Sequence, residues 1–393
     1  MDPWLSINDK RELLAVRIGL VHKRLDLNGG TERDLYQTAE GLRDLGHEVH
    51  LFCSEYGVAA PPGTVAHSVP VLPLGRTIRL WSFVFLAPRI IRAENCDVVV
   101  GFGRLIEQDV LRSGGGTHQG FLNRLGEEGG ARRRFWQNIS IYHRSMLSLE
   151  RRQFSTPGLT KIIAVSEEVK REIIANYAVP NQKIVVLYNG VDQQRFHPGR
   201  RSAVRNTIRH RWKIPLDAPV VLFVGSGFHR KGLQRLLSIW RSPRLEHVYL
   251  LVVGNDARLN RYKAKAEDIG GRRIIFTGRQ DDVENYYAAA DVVALPALQE
   301  AFGNVVLEAL ASGVPVVVSR GVGAAELLSG VLADGIVDHP EDPHELETTL
   351  LSSLERARDP RSAEEARSIG QRYSWQNHFQ SLEALLIETA ESH

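Results

Sequence analysis

Cysteine is scarce in this chain of 393 residues: Cys53 and Cys96 are its two, and both lie in or beside apolar runs. A disulfide framework is therefore no basis for the fold, and two buried thiols in a reducing cytosol are the plain reading. No CxxC and no Cys/His cluster suggests a structural zinc site. No apolar run approaches the roughly 20 residues needed to span a bilayer. No secretory leader is visible; residues 1–16, MDPWLSINDKRELLAV, are polar and mixed in charge and read as a loose extension. Low-complexity segments and short-period repeats are lacking. Net charge is only +3, so nucleic acid is not an expected partner. The charge is uneven, however. Residues 132–161 carry seven Lys/Arg and one acid, Glu150, which is either a solvated face or a surface for an anionic partner.

What is present is globular: 43% hydrophobic and 24% charged, with length for two domains. Two α/β patterns follow one another. The first runs through RIGLVH (17–22), a Gly-Gly turn, a helix over 31–46, EVHLFC (48–53), CDVVVGF (96–102), KIIAVS (161–166) and KIVVLYN (183–189). The second runs through PVVLFVGS (219–226), HVYLLVVG (247–254), RIIFTG (273–278), DVVALP (291–296), PVVVS (315–319) and GIVD (335–338). Short Val/Ile runs separated by helical stretches predict parallel sheets covered on both faces. The spacing of Phe379, Leu382, Leu385 and Leu386 predicts an amphipathic closing helix.

The stretch QEAFGNVVLEAL (299–310) joins a buried strand to a helix, at the carboxyl end of the strand where open α/β sheets bind ligands. Free N–H groups of Phe302, Gly303, Asn304 and Val305 at that helix start favour a negative group, and Gly303 lets a ligand approach the backbone. Carboxylates can accept hydrogen bonds from hydroxyls. Glu300 and Glu308 thus suit two sets of hydroxyls beside a phosphate, as in a nucleoside diphosphate sugar. Either glutamate alone could equally be stabilising the helix dipole. In VGSGFHRKGLQRLL (224–237) a glycine turn at Ser226 and Gly227 leads into Arg230 and Lys231. Positive charge there opposes the helix dipole unless an anion is bound, or it is simply a solvated helix start.

These segments together resemble retaining glycosyltransferases of family 4. E-x7-E followed by ALASGVPVVVSRGVGAAELL matches the family pattern. So do GGTERDLYQTAEGLRDLGHEVHLF (29–52), VSEEVKREIIANYAVPNQKIVVLYNGVDQQRFHP (165–198), the turn at 224–237, and YSWQNHFQSLEALL (373–386), in that order along nearly the whole chain from residue 17. The resemblance implies the GT-B fold: two Rossmann-like doubly wound domains facing a cleft, with a C-terminal helix returning to the N-terminal domain. The implied division is an acceptor-binding domain over 17–190, a basic linker with a short helix over 191–218, a nucleotide-sugar domain over 219–374 and the closing helix over 375–393.

The resemblance also distributes roles. Lys231 and Arg230 would face the pyrophosphate. Many members carry Arg where Ser226 stands, and Arg230 would substitute. Glu300 would orient the sugar, Glu308 the ribose, and the backbone near Arg279 the base. Asp281 and Asp282 are read as helix-capping groups. Gly29 and Gly30 form either an ordinary turn or a close approach for donor phosphate or acceptor. His118, after three glycines, is either structural or a contact to the donor sugar. No D-x-D occurs, so no metal or other cofactor is expected. The implied reaction is retaining hexosyl transfer from a UDP-sugar to a glycan or glycolipid acceptor. VGSGFHRKGLQRLL and GGGTHQGFL look most like the lipopolysaccharide core glucosyltransferase I subgroup, which implies a glucose donor and a heptose acceptor. A sugar-nucleotide epimerase or hydrolase, or a non-catalytic sugar-nucleotide-binding subunit, are the alternatives. The expected location is cytoplasmic. Arginines and aromatics over 121–152 suggest either peripheral contact with an anionic membrane or an ordinary helical pair with its aromatics in the core and its arginines in water; 76–92 is a second candidate, more apolar, and reads more as core.

Overall fold

Each apolar run named above contains a strand, and every strand pairing among the described residues is parallel. The computed structural model describes residues 15–27, 29–123, 140–269 and 271–392. The chain divides into two units, Met1–Tyr188 with Gln376–His393, and Asn189–Trp375.

The first unit holds β1 (Arg17–Val21), β2 (Arg24–Leu25), β3 (Glu48–Cys53), β4 (Glu55–Tyr56), β5 (Val65–Ser68), β6 (Val98–Gly101), β7 (Val110–Ser113), β8 (Lys161–Ala164) and β9 (Ile184–Val186). Seven of them form one sheet in the order β5-β3-β1-β6-β7-β8-β9, and β2 pairs with β4. Strands β5 and β7 escape a hydrophobicity reading. Three of the four β5 side chains are exposed. Strand β7 is buried but carries Arg112, which forms a two-pronged bond to Asp34 of the helix Gly30–Asp44, at 2.5 and 2.9 Å. A buried arginine is tolerated only when so paired.

The C-terminal helix Trp375–Ala390 packs on this unit. Its Leu382, Leu385 and Leu386 join Leu35, Leu42, Leu51 and Val100 in one core. Gly41 makes the approach possible, since a Cβ there would lie 2.3 Å from the Phe379 ring. Buried His47 bonds Glu383 at 2.8 Å and accepts from the N–H of Val16.

The second unit holds β10 (Val220–Val224), β11 (Tyr249–Val253), β12 (Ile274–Gly278), β13 (Val292–Leu295), β14 (Val316–Ser319) and β15 (Ile336–Val337), in the sheet order β12-β11-β10-β13-β14-β15. Val221, Phe223, Leu250, Val252 and Val292 meet Phe228, Leu237 and Trp240 in its core. Each such side chain contributes roughly 1.5–3 kcal/mol by leaving water.

Residues 191–218 are not a free linker but part of this unit. From the helix Arg200–Arg211, Arg201, Arg205 and Arg209 converge on Asp291 at 2.8, 2.8 and 2.9 Å. The four-residue spacing puts all three guanidiniums on one helix face. Asp282 also departs from expectation. It occupies the N-cap position of the helix Val283–Ala289, but its side chain makes no capping bond and instead accepts from Asn285 Nδ2 at 3.1 Å.

Candidate active site

In the second unit the expected residues fall at the carboxyl ends of β10, β12 and β13. Strand β10 runs into Gly225-Ser226-Gly227, with φ of +141° at Gly225 and +70° at Gly227. Ser226 and Gly227 are exposed. The turn is pinned from behind, where the Asp256 carboxylate accepts from the N–H of Phe228 at 2.8 Å. Gly225 has a steric role. A Cβ there would lie 2.7 Å from Lys231 Cδ and Cε and 3.0 Å from Nζ, so the lysine lies folded over the bare backbone.

Lys231 is mostly withdrawn from solvent. Burial holds its amine below the usual lysine range, with Arg230 acting the same way; Glu300 and Glu308 oppose them. Four of the charges named from sequence therefore act on one another here. Arg230, itself exposed, is ion-paired with Glu300.

Glu300 is held by its backbone. Its N–H donates to Gly321 O at 3.1 Å and its carbonyl accepts from Gly323 N–H at 3.0 Å. Phe302 is buried, and Gly303 takes φ +93°. A Cβ on Gly303 would lie 2.8 Å from Val322 Cγ1, so glycine is needed for the close approach as well as the backbone conformation. The helix Asn304–Ala311 then begins with no side-chain cap, which leaves its first N–H groups for an anion. Asn304 is exposed and accepts from Asn189 Nδ2 at 2.8 Å, while Val305 is buried. Glu308 accepts a hydrogen bond from the Tyr287 hydroxyl. Burial, with Glu308 beside it, raises that phenol well above the usual range, so it stays a donor and fixes one carboxylate oxygen. Arg279 follows β12 and is exposed.

In the first unit Gly29 is the N-cap of the helix Gly30–Asp44, again without a side-chain cap. Glu32 in its first turn lies 3.7 Å from the buried His22 ring, which holds the carboxyl down to about 2. His118 is 9% exposed and opens a helical turn over 118–123. Its Nε2 bonds His143 Nδ1 at 3.0 Å, and the ring stacks on Phe121 and His143. Burial, and then Arg104, push it down to about 4, so the ring is neutral at pH 7. Beneath it the fully buried Glu150 accepts from His118 N at 2.7 Å, Gln119 N at 3.2 Å, Arg104 Nη2 at 2.6 Å and the Tyr177 hydroxyl.

Sequence reasoning did not find Asp256, Tyr287, His22, Arg104, Glu150 or His143. Each acts by contact with a residue distant in sequence. One faint signal existed, in that Glu150 is the single acid in its basic stretch.

Two family descriptions match the chain: Glycosyltransferase Family 4 over residues 28–195 and Glycosyl transferases group 1 over 218–356. A probable transglycosylase of Burkholderia thailandensis is 30% identical over 349 residues, 87% of either chain. The chain belongs to glycosyltransferase family 4. Another relative of this glycosyltransferase is the lipopolysaccharide glucosyltransferase WaaG of Escherichia coli, 26% identical over 333 residues, 83% of this chain and 86% of WaaG. The crystal structure of WaaG superposes with a TM-score of 0.79 at 23% identity, covering 94% of this chain and 99% of the other. Anabaena HepE in complex with UDP and glucose gives a TM-score of 0.68 at 19% identity, covering 95% and 100%. The glycosyltransferase shares with these the GT-B fold of two parallel-sheet α/β units.

Proposed function

We propose that this glycosyltransferase moves a glucosyl group from UDP-glucose to a glycan acceptor of the lipopolysaccharide core, with retention at the anomeric carbon. The observation that carries the reading is Lys231, half-buried and folded over a bare glycine turn, in a cluster with Arg230, Glu300 and Glu308. The similarity to WaaG supports the choice of sugar and acceptor.

The diphosphate is held by Lys231 and by the uncapped N–H groups at 303–305. Arg230 leaves Glu300 for the phosphate, and Glu300 becomes free to accept from sugar hydroxyls. The acceptor oxygen bonds to the anomeric carbon on the face the leaving group departs from. The bond from that carbon to the phosphate oxygen breaks, and the departing phosphate takes the acceptor proton. Lys231 gains most in strength as negative charge grows on that oxygen. The test is incubation with UDP- and GDP-sugars, with and without truncated lipopolysaccharide cores, followed by product mass. Turnover of UDP-sugar without an acceptor points to an epimerase or hydrolase instead.

The two glutamates separate in binding. Glu308→Ala weakens UDP itself, because it faces the ribose. Glu300→Ala leaves UDP nearly unchanged and weakens UDP-glucose. Calorimetry with both ligands checks this, and equal losses for UDP in the two variants sink the assignment.

Transfer is expected to proceed without a divalent cation, with Lys231, Arg230 and the helix N–H groups balancing the diphosphate. Initial rates in EDTA then match those without it. Loss of activity on chelation, restored by Mg²⁺ or Mn²⁺, overturns that mechanism.

The proposed acceptor is anchored in lipid, so the enzyme works at an anionic membrane surface in the cytoplasm. Among the described residues no helix is long and apolar enough to cross a membrane. The helix Gly75–Ala93, read above as core, buries Phe83, Ala87 and Ile91 but exposes Ile78 and Phe85, with Leu72 and Leu74 exposed before it. Ile141 is exposed at the start of the helix Ile141–Ser155, and Arg76 and Arg152 cover Tyr142 and Trp81. Apolar residues ringed by arginines suit a membrane surface, each basic group being worth about 1 kcal/mol there. Arg132, Arg133 and Arg134 belong to the same sequence stretch but lie outside the described residues. Vesicle sedimentation should show binding to anionic and not neutral lipid, lost in high salt and weakened by Ile78→Ser with Phe85→Ser. Equal sedimentation of that variant removes this face from the membrane contact.

A further inference from the structure

On the face of the first unit's sheet that the helix Gly75–Ala93 covers, side chains from β3, β5 and the end of that helix meet. His50 lies on β3 and His67 on the edge strand β5, two positions out of register on the same face. Glu94 is the C-cap residue of the helix. His50 is buried; His67 and Glu94 are half-buried. His50 Nδ1 and His67 Nε2 are 2.9 Å apart. Glu94 Oε2 lies 3.8 Å from His50 Nδ1, and its Oε1 lies 3.5 Å from His67 Nδ1. One ligand atom from each residue can be chosen so that all lie within 4.8 Å of one another.

With both rings neutral, the hydrogen-bond count in this cluster leaves two acceptors facing each other. His50 Nε2 is 2.9 Å from Glu48 Oε1, and Glu48 is anchored by Arg17 at 3.1 Å. A carboxylate only accepts, so Nε2 of His50 carries the proton and its Nδ1 presents a lone pair. His67 must then donate from Nε2 to that lone pair. This leaves the His67 Nδ1 lone pair facing the Glu94 carboxylate, acceptor against acceptor. A cation among Nδ1 of His50, a ring nitrogen of His67 and the Glu94 carboxylate removes the conflict. The outer arrangement is also that of a metal site: a ligating imidazole usually gives its other N–H to a carboxylate, as His50 does to Glu48.

We infer that His50, His67 and Glu94 bind a divalent transition cation of the zinc type, with Glu48 as the outer partner of His50. Two nitrogens and a carboxylate are a zinc-type donor set, with a water completing a tetrahedron. In such a site two ligand nitrogens lie about 3.3 Å apart, given metal–nitrogen distances of about 2.0–2.1 Å, so the two rings must part by a few tenths of an ångström and turn their lone pairs from each other toward the metal. The cation would tie β5, which has a sheet neighbour on one side only, and the end of the helix to β3. The site is structural, and it is separate from the residues assigned to the diphosphate and sugar.

The full chain, stripped with chelator and exchanged into metal-free buffer, is titrated with Co²⁺ and then Zn²⁺. The expected result is one equivalent of Co²⁺ with a visible d–d band, displaced by Zn²⁺, and a rise in Tm on adding Zn²⁺. His67→Gln and Glu94→Gln should each weaken binding by at least about 10-fold and abolish the Tm rise. Both side chains are partly exposed, so these variants test the ligands without emptying the core. UDP binding should be the same with and without the metal. The inference is overturned if the wild type shows no d–d band and no Tm response, in which case a proton fills the gap. It is overturned equally if both variants bind as the wild type does, which would place the metal on other histidines.

Discussion

Lys231→Ala lowers kcat by about 10²-fold or more, a loss of about 2.7 kcal/mol of transition-state stabilisation. The amine lies folded over Gly225, and in the proposed reaction it is the charge that water cannot replace when the diphosphate departs. Steady-state and single-turnover rates check it. A change confined to KM would mean that Lys231 serves only ground-state binding. A pH signature accompanies the loss. In the free protein, burial holds the lysine below its ordinary value; a bound diphosphate raises it again. Between the two values, UDP binding takes up a proton, and affinity falls as pH rises through the free-protein value. Calorimetry in buffers of different ionisation enthalpy should show that proton uptake at alkaline pH for the wild type and not for Lys231→Ala.

The largest expected effect on stability lies at Asp291, which precedes the strand Val292–Leu295 at the end opposite Glu300. Asp291→Ala removes the acceptor shared by Arg201, Arg205 and Arg209 and by the N–H of Val220, the last at 2.9 Å. The Arg209 side chain is fully buried, so the variant leaves a charge inside with its backbone carbonyl acceptors but no counter-ion. Breaking a buried pair in this way costs about 3–5 kcal/mol, which for a unit of this size is a Tm fall of roughly 10 °C. Urea unfolding measures it, and a loss under about 1 kcal/mol would mean that water already screens the network. The pH dependence has a definite sign. Burial pushes the Asp291 carboxyl up, but Arg205, Arg209, the Val220 N–H and Arg201 overcome this and hold it below the ordinary range. Its contribution is therefore complete above the unfolded value of about 3.9 and fades as pH falls through the folded one. The gap between wild type and variant should narrow only in acid.

Both of these features show where sequence legibility stops. Strands such as Val220–Val224 and Val292–Leu295 are legible because a strand buried on both faces has no polar residues to interrupt it. Strand Val110–Ser113 is not, because Arg112 sits inside it and its partner Asp34 lies 78 residues away. The charged residues of the second unit's site are legible as an ordered pattern along the chain, but their pairing is not. Nothing in the spacing of Arg230 and Glu300 shows that they bind each other, or that Tyr287 holds Glu308. The helix Arg200–Arg211 reads as a basic linker because its three arginines look solvated until Asp291 is seen opposite them. His50, His67 and Glu94 form no short-range motif, since a parallel sheet brings together residues that loops and helices separate along the chain.

The closing helix bears on the order of events during synthesis. Residues 189–375 are one continuous piece, complete in sheet and core, and they leave the ribosome before Leu382, Leu385 and Leu386 do. The first unit, although it begins earlier, lacks one wall of its interior until Leu382, Leu385 and Leu386 are released. The usual succession of amino-terminal piece first is thus inverted: the inserted piece can finish while its predecessor waits with Leu35, Leu42 and Val100 uncovered. A chain that stopped short of Leu382 would keep the sheet and core of residues 189–375 intact and leave the first unit open and aggregation-prone, which makes the helix Trp375–Ala390 a checkpoint for the first unit.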